Sequence, residues 1–92
     1  MFEWDDPERP RGNVQHIARH GVTPTDAEEA LEDPRRRIRQ LGYVKGEMRI
    51  LVAGMTRAGR ILVVIYTLRR GRIRVVTAHP ADPRFVRWYH RG

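Results

Sequence analysis

The stretch of residues 61–79 constrains the fold of this chain most, because its pattern is typical of a β-hairpin. Its first arm, residues 61–67, is an unbroken run dominated by β-branched side chains that is too short for a typical helix. Such a run predicts a strand covered on both faces. Gly71 can adopt the positive φ that a tight turn needs, and Pro80 cannot donate to a strand ladder. The second arm is therefore predicted at residues 72–79.

Shorter elements surround this hairpin, and several have recognisable ends. Thr23 is predicted to be a helix N-cap followed by Pro24 at the first helical position, and Asn13 and Asp82 are predicted to be N-caps as well. The predicted helices lie near residues 13–20, 24–32 and 83–90, and a further strand lies near residues 48–55. Connections between the strands are too short for crossover helices, which favours antiparallel pairing. We expect one α+β domain over residues 1–92, a small antiparallel sheet packed with two N-terminal helices and one C-terminal helix.

Three further segments have weaker patterns. The segment Phe2–Trp4 is long enough only for an edge strand or an anchor. Residues 35–43 carry a basic run, interpreted as a strand or extended segment with Ile38 inward and its arginines outward. In the last helix Phe85 and Trp88 share one face, which we expect to pack on the sheet.

Charge is divided unevenly along the chain. Residues 1–33 hold nine acidic and three basic side chains, whereas residues 34–92 hold fifteen basic and two acidic ones, within a total of +7. A basic part of this strength is typical of proteins that bind polyanions, and arginine suits bidentate contacts to phosphate. A solvated arginine-rich surface, matched in part by the acidic first third, is the alternative.

Cysteine is absent, so disulfides and thiolate sites are excluded. No run approaches the length of a membrane span, and the first residues lack the pattern of a signal peptide, so we expect a cytoplasmic protein without membrane contact. His16 and His20 have a spacing that can hold a metal, but Ile17 stands where the zincin motif needs glutamate. We interpret both as surface or helix-terminal histidines and expect no metal and no cofactor.

The order of elements resembles the BrnT family, the ribonuclease toxins of a bacterial type II toxin–antitoxin pair with a RelE-like fold. The similar stretches span nearly the whole chain, and each of them is short. They are Phe2-Glu3-Trp4-Asp5, His20-Gly21-Val22-Thr23, Glu47-x-Arg49 with Gly54, and Arg72 to Ala78 leading to Tyr89. The resemblance implies an RNA substrate and a small DNA-binding antitoxin as partner.

Two positions depart from the family pattern. Members commonly end the last strand with Ser/Thr-Ala-Arg and continue into a basic helix with Arg-Glu-Arg, but this chain has His79 and Phe85 at the arginine and glutamate positions. Two charged functional candidates are therefore replaced. The family fold and partner class should survive these changes, whereas they put ribonuclease activity in question.

RNA cleavage without a metal needs a base for the 2′-hydroxyl, a cation for the phosphorane-like transition state and an acid for the 5′-oxygen. The candidate catalytic residues are His79, Arg74, Arg49 and Tyr89. His79 and Arg74 are five residues apart and point to opposite faces of an ideal strand. They can act together only if the backbone turns between them, for which the sequence suggests the region of Ala78.

The nucleic-acid-binding candidates are all arginines, namely Arg49, Arg72, Arg74, Arg84 and Arg87. Three classes of function fit this chain: an endoribonuclease toxin, a non-catalytic member that binds antitoxin or nucleic acid, and a small basic domain that binds an acidic protein. A neighbouring reading frame for a small DNA-binding antitoxin would favour the first two classes.

Overall fold

The computed structural model describes residues 1–92 and shows an α+β fold. The strands are β1 (Phe2–Glu3), β2 (Arg37–Val44), β3 (Glu47–Met55), β4 (Ile61–Arg69) and β5 (Arg72–Pro80), and the helices are α1 (Asn13–Ala18), α2 (Pro24–Glu32) and α3 (Pro83–Arg91). The predictions for β3, β4, β5, α2 and α3 agree with these bounds to within two residues. None of the helices has the length and apolar character needed to cross a membrane.

All five strands form one sheet in the order β1-β5-β4-β3-β2, with β4 in the middle as predicted. The strands from β2 to β5 pair antiparallel. β1 instead runs parallel to β5, where Phe2 pairs with Ile73 and Glu3 with Arg74. The prediction of a purely antiparallel sheet is therefore wrong. The long connection through α1 and α2 removes the constraint of a short hairpin, so the first segment can add to β5 in the parallel direction.

Helices cover both faces of the sheet. On one face α1 and α2 pack on β3, β4 and β5, and their buried contact residues include Ile17, Ala27, Leu31, Val52, Val64 and Val75. On the other face Trp88 and Tyr89 of α3 pack on Leu51, Ala53 and Val63. The helix arrangement differs from the predicted one, because β1 precedes the first two helices and α1 ends at Ala18. Burial on both faces explains the continuous apolar run of β4.

α2 approaches β3 very closely at Gly54. A Cβ atom at this position would overlap the carbonyl oxygen of Ala30. Ala27 and Ala30 are fully buried, so this face of the helix presents methyl groups to the strand. Small side chains on both elements therefore set the distance between helix and sheet.

The N-termini of α2 and α3 are capped as predicted. Thr23 and Asp26 form a reciprocal capping box, with hydrogen bonds of 3.1 and 3.0 Å. Asp82 accepts two backbone hydrogen bonds in the first turn of α3. The N-cap of α1 is Gly12 and makes no side-chain bond, so the prediction of Asn13 as N-cap is wrong.

The buried side chain of Asn13 joins three elements instead of capping α1. Its Oδ1 accepts from the backbone N–H of Asp5 at 2.9 Å, and its Nδ2 donates to the carbonyls of Glu3 and Val75, each at 3.1 Å. Asp5 and Glu3 are eight and ten residues from Asn13 along the chain, and Val75 is 62 residues away. The carboxamide thus supplies a hydrogen bond to a backbone carbonyl of β1 and to one of β5. These bonds hold α1 against β5 at the end of the sheet.

Side chains of β2 face the opposite way from the prediction. Ile38 is 54% exposed, whereas Arg37 and Arg39 lie on the face of the sheet that α3 covers. Their guanidinium carbons are 5.1 and 4.6 Å from the centre of the Trp88 ring. The prediction of an inward Ile38 is wrong because β2 is an edge strand: α2 packs on β3 and β4, while α3 offers the arginines an aromatic ring.

The hairpin between β4 and β5 turns at two residues, Arg70 and Gly71, with φ of 55° and 74°. Positive φ at both central residues is the geometry of a tight hairpin turn whose twist matches the strands. The predicted role of Gly71 is therefore confirmed. β4 continues through Leu68 and Arg69, two residues beyond the predicted first arm.

Candidate active site

α3 covers only part of its face of the sheet and leaves a pocket on the rest, which we call the groove. Arg49 on β3 pairs with Thr67 on β4. Both side chains lie on this face of the sheet, beyond the residues that α3 covers. The groove has a volume of about 230 Å³. Its ionisable side chains are Arg11, His16, Glu47, Arg49, Arg69 and Arg74. Four arginines and one glutamate therefore line the groove, so arginine dominates its ionisable side chains.

Two polar groups in the groove are buried without a hydrogen-bond partner. They are the Nε of Arg49 and the Oγ1 of Thr67, and Thr67 is only 1% exposed. An unsatisfied buried donor or acceptor costs roughly 1–3 kcal/mol. Both atoms are closed to solvent, so an oxyanion such as a phosphate in the groove would meet the terminal N–H groups of Arg49, which are neither buried nor bonded to the protein.

Arg74 is held by a bidentate ion pair. Its Nη1 and Nη2 donate to the two carboxylate oxygens of Asp5 at 3.1 and 2.8 Å, and Glu3 lies 3.8 Å away. The hydrogen bonds from Arg74 and from the backbone of Asn13 lower the pKa of Asp5 to about 2. Arg74 is therefore fixed in orientation, and its charge is largely compensated by these carboxylates.

Arg69 is paired in a similar way with Glu47. The two hydrogen bonds measure 3.0 and 3.1 Å, and donation from Arg69 lowers the pKa of the Glu47 carboxyl. Arg49 makes no ion pair, in contrast to its strand neighbours Arg69 and Arg74. Among the strand arginines of the groove, Arg49 alone makes no ion pair with a carboxylate.

An extra residue in β5 brings Arg74 and His79 to one face. The pairing between β4 and β5 shifts by one residue at Val76, which forms a β-bulge. On one side of the shift Arg74 lies opposite Thr67, and on the other His79 lies opposite Val63. Thr67 and Val63 are four residues apart and share a face of β4. The backbone irregularity needed to bring Arg74 and His79 to one face is therefore present. It lies at Val76, two residues before the predicted Ala78.

His16 is the histidine that lines the groove. Its Nε2 lies 3.0 Å from Thr77 Oγ1, within hydrogen-bonding distance. A row of rings leads away from it: the His16 and His20 centroids are 5.7 Å apart, and those of His20 and His79 are 6.0 Å apart. No group of three or more histidine, cysteine or acidic residues is placed to hold a metal ion. The sequence interpretation was a surface or helix-terminal histidine, and His16 does lie in the last turn of α1. Its contact with β5 was not predicted, because that contact depends on the tertiary fold.

Tyr89 lies outside the groove, in the interface between α3 and the sheet. Its hydroxyl donates to Asp33 Oδ2 at 2.6 Å, and the same oxygen accepts from the backbone N–H of Met55 at 2.8 Å. Burial, together with the hydrogen bond to Asp33, raises the pKa of Tyr89 to about 12. Burial works against ionisation of Asp33, but its hydrogen bonds keep the pKa below the ordinary value. The structure does not bring Tyr89 to Arg49 and Arg74.

The remaining predicted nucleic-acid contacts lie in two places. Arg72 is exposed at the end of the groove face, opposite Arg69. Arg84 and Arg87 are exposed on α3, and Arg84 makes an ion pair of 3.2 Å with Asp82. The five predicted arginines therefore divide into three on the groove face and two on the helix beside it.

Comparison with known proteins gives a family for the chain. Residues 4–84 match the profile of the ribonuclease toxin BrnT of a type II toxin–antitoxin system. A search of curated proteins found no match. The matched range covers most of the chain and contains every residue that lines the groove, from Arg11 to Val76. The protein therefore belongs to the BrnT family of ribonuclease toxins from type II toxin–antitoxin systems.

Proposed function

We propose that this protein is the toxin of its pair, an endoribonuclease that cleaves RNA in the groove and is neutralised by a small DNA-binding antitoxin. Membership of the family implies an antitoxin partner. The observation that carries the proposal is Arg49, the one strand arginine of the groove that makes no ion pair. Its terminal N–H groups are open to the groove and suit a phosphate oxygen.

Arg49 and Arg74 have different parts in the proposed reaction. Arg49 binds the scissile phosphate and stabilises the negative charge that grows on it in the transition state. Arg74, held by Asp5, is oriented in advance and offers its remaining N–H groups to a neighbouring phosphate. Arg72 extends this basic face toward the solvent.

Histidines supply the proton transfers. His16 accepts the proton of the 2′-hydroxyl, whose oxygen then attacks phosphorus while the bond from phosphorus to the 5′-oxygen breaks. The products are a 2′,3′-cyclic phosphate and a 5′-hydroxyl, and the latter receives its proton from a second acid. We assign that role to His79, which lies outside the groove lining but on the same face of β5 as Arg74, with its ring 6.0 Å from that of His20. Tyr89 is the weaker candidate, because it is bonded to Asp33 outside the groove.

The wider setting follows from the same proposal. We infer a RelE-like fold and one functional domain over residues 1–92, as the family resemblance implies. Messenger RNA as substrate places the activity in the cytoplasm. Arginine in the cationic role makes metal unnecessary for this mechanism, which an experiment with a chelator tests directly.

The first experiment incubates purified, antitoxin-free protein with end-labelled RNA, with and without EDTA. We expect cleavage in both samples and products that end in a cyclic phosphate. Intact RNA after hours at micromolar protein would contradict catalysis by the isolated chain. Loss of cleavage in EDTA would contradict the metal-independent mechanism.

Single-residue variants then test the catalytic role proposed for each side chain. Arg49→Ala should lower the cleavage rate by roughly 10²–10³-fold, the effect of losing one donor to a developing oxyanion. His16→Ala and His79→Ala should each lower it by roughly 10²–10⁴-fold if they transfer protons, with RNA binding nearly unchanged. Arg57→Ala is the matched control, because Arg57 pairs with Glu29 away from the groove. An Arg49 variant no slower than the Arg57 control would refute the assignment.

A non-catalytic member that binds antitoxin or nucleic acid is the second candidate. Phe85 favours it: at the position of a family glutamate this side chain packs into the core beneath α3, with its ring centre 6.0 Å from that of Trp88. A hydrophobic packing contact therefore stands where the family pattern has a carboxylate. In such a protein the groove would bind RNA, and the cleavage assay would leave the substrate intact.

A further inference from the structure

Most ion pairs of this protein lie away from β2 and the exposed side of α3. The carboxylates of the first third pair with Arg57, Arg60 and Arg74. Six arginines of β2, the segment before it and α3 make no ion pair, and we call them the arginine surface. They are Arg35, Arg36, Arg37, Arg39, Arg87 and Arg91. Six arginines of the second part of the chain are therefore concentrated here without an ion pair.

Trp88 organises the centre of the arginine surface. The guanidinium groups of Arg37 and Arg39 lie over its ring at 5.1 and 4.6 Å, and Arg37 also donates to the Trp88 carbonyl at 2.9 Å. Stacking fixes these planar groups without using a carboxylate, so most of their N–H donors stay available. A side chain that is already ordered loses less entropy when it binds a ligand.

Two concave sites lie within this region. A pocket of about 520 Å³ is lined by Arg35, Arg36 and Arg37 together with His90. A second pocket, of about 220 Å³, lies where Arg39 meets Arg84 and Arg91 of α3 beside Trp88. Clustered guanidinium groups around such pockets suit phosphate groups, which accept bidentate hydrogen bonds.

The arginine surface is continuous with the groove. Arg39 on β2 lies opposite Leu51 on β3, and Arg49 is two residues from Leu51 on the same face. Such diagonal neighbours have Cα atoms about 7–8 Å apart, within reach of long side chains. A polyanion that contacts Arg49 can therefore continue past Arg39 to α3.

We propose that the arginine surface binds the phosphate backbone of single-stranded RNA outside the segment held in the groove. The inference rests on the proposed function in naming RNA, and it assigns a second site to that substrate. Continuity with the groove favours RNA over an acidic protein segment. Trp88 is 8% exposed and covered by arginines, so it orders the phosphate contacts and leaves no ring face for a base.

The test compares a long and a short RNA. Fluorescence anisotropy measures the binding of a 2′-O-methyl dodecanucleotide and a 2′-O-methyl trinucleotide, which lack the attacking hydroxyl, at several salt concentrations. The variant is Arg39→Gln with Arg91→Gln, since neither side chain donates a hydrogen bond to the protein. The control is Arg57→Gln with Arg60→Gln, which removes the same charge from residues that already pair with carboxylates.

We expect the surface variant to bind the dodecanucleotide more weakly and to lower the slope of log affinity against log salt by about 1.4, from about 0.7 for each lost phosphate contact. Trinucleotide binding should be unchanged, and the control should keep the parent slope. An unchanged slope for the dodecanucleotide, or an equal loss for both RNAs, would overturn the proposal.

Two more measurements distinguish this proposal from the groove assignment and from an antitoxin-binding role of the arginine surface. If Arg49→Ala leaves trinucleotide binding unchanged, the groove assignment fails, whereas a lowered dodecanucleotide slope in the surface variant still supports the arginine surface. If the surface variant keeps its RNA binding but loses affinity for the purified antitoxin, the surface belongs to a protein partner and the RNA assignment is refuted. Thermal melting confirms that each variant is folded.

Discussion

Replacing Asp5 by asparagine should destabilise the protein in a way that depends on pH. Asp5 accepts two hydrogen bonds from Arg74 and one from the backbone of Asn13, and its pKa falls from 3.8 to about 2 in the folded protein. A shift of that size corresponds to about 2.4 kcal/mol at pH 7. Because the folded pKa lies below the unfolded one, this stabilisation is complete above about pH 4 and is lost as the pH falls through about 2.

Urea unfolding of parent and Asp5→Asn at several pH values measures the effect. The difference in free energy of unfolding should be about 2 kcal/mol at neutral pH and roughly half of that at pH 3. Asp6→Asn is the control, because Asp6 is exposed and bonds only a neighbouring backbone N–H. A difference that stays constant from pH 7 to pH 3 would refute the ionic origin of the effect, and a difference no larger than that of the control would refute the ion pair itself.

Further predictions concern the packing of the two helix layers. Gly54→Ala forces α2 away from β3 and should lower the free energy of unfolding, measured by chemical denaturation, by ~1–3 kcal/mol, as overpacking does. An unchanged free energy of unfolding would show that α2 can move away from β3 without cost. Trp88→Ala should cost ~3–5 kcal/mol, and a melting temperature close to that of the parent would mean that α3 is not docked. In a spectrophotometric titration one tyrosine should ionise only near pH 12, and Tyr89→Phe should remove that late step. Persistence of the step in the variant would contradict the assignment to Tyr89.

Sequence reasoning succeeded where local chemistry decides the structure. The β-branched run of β4 has no other low-energy conformation as good as a buried strand, and Gly71 permits the turn that follows. Thr23 and Asp82 cap their helices through hydrogen bonds that span three residues or fewer. Signals of this kind lie within one turn or one hairpin, so a single sequence contains them.

It failed where a residue finds its partner far along the chain. Asn13 looks like an N-cap, yet its carboxamide bonds Val75, and Arg37 looks solvent-facing, yet it donates to Trp88. Arg49 and Arg74 were predicted for the site from the family resemblance, whereas the groove position of His16 depends on how α1 packs against β5. The i, i+4 spacing of His16 and His20 is visible in the sequence. The residues around His16 do not indicate whether its side chain lines a groove or faces open solvent.

The bulge at Val76 also bears on how this gene can change in length. A residue lost from a strand normally exchanges the two faces beyond that point. Removing Val76 would instead leave Val75 opposite Tyr66 and Thr77 opposite Ile65, because this residue has no partner on β4. One codon can therefore be lost here while the core and the other residues of the groove keep their faces, so a relative one residue shorter can have its gap in this strand.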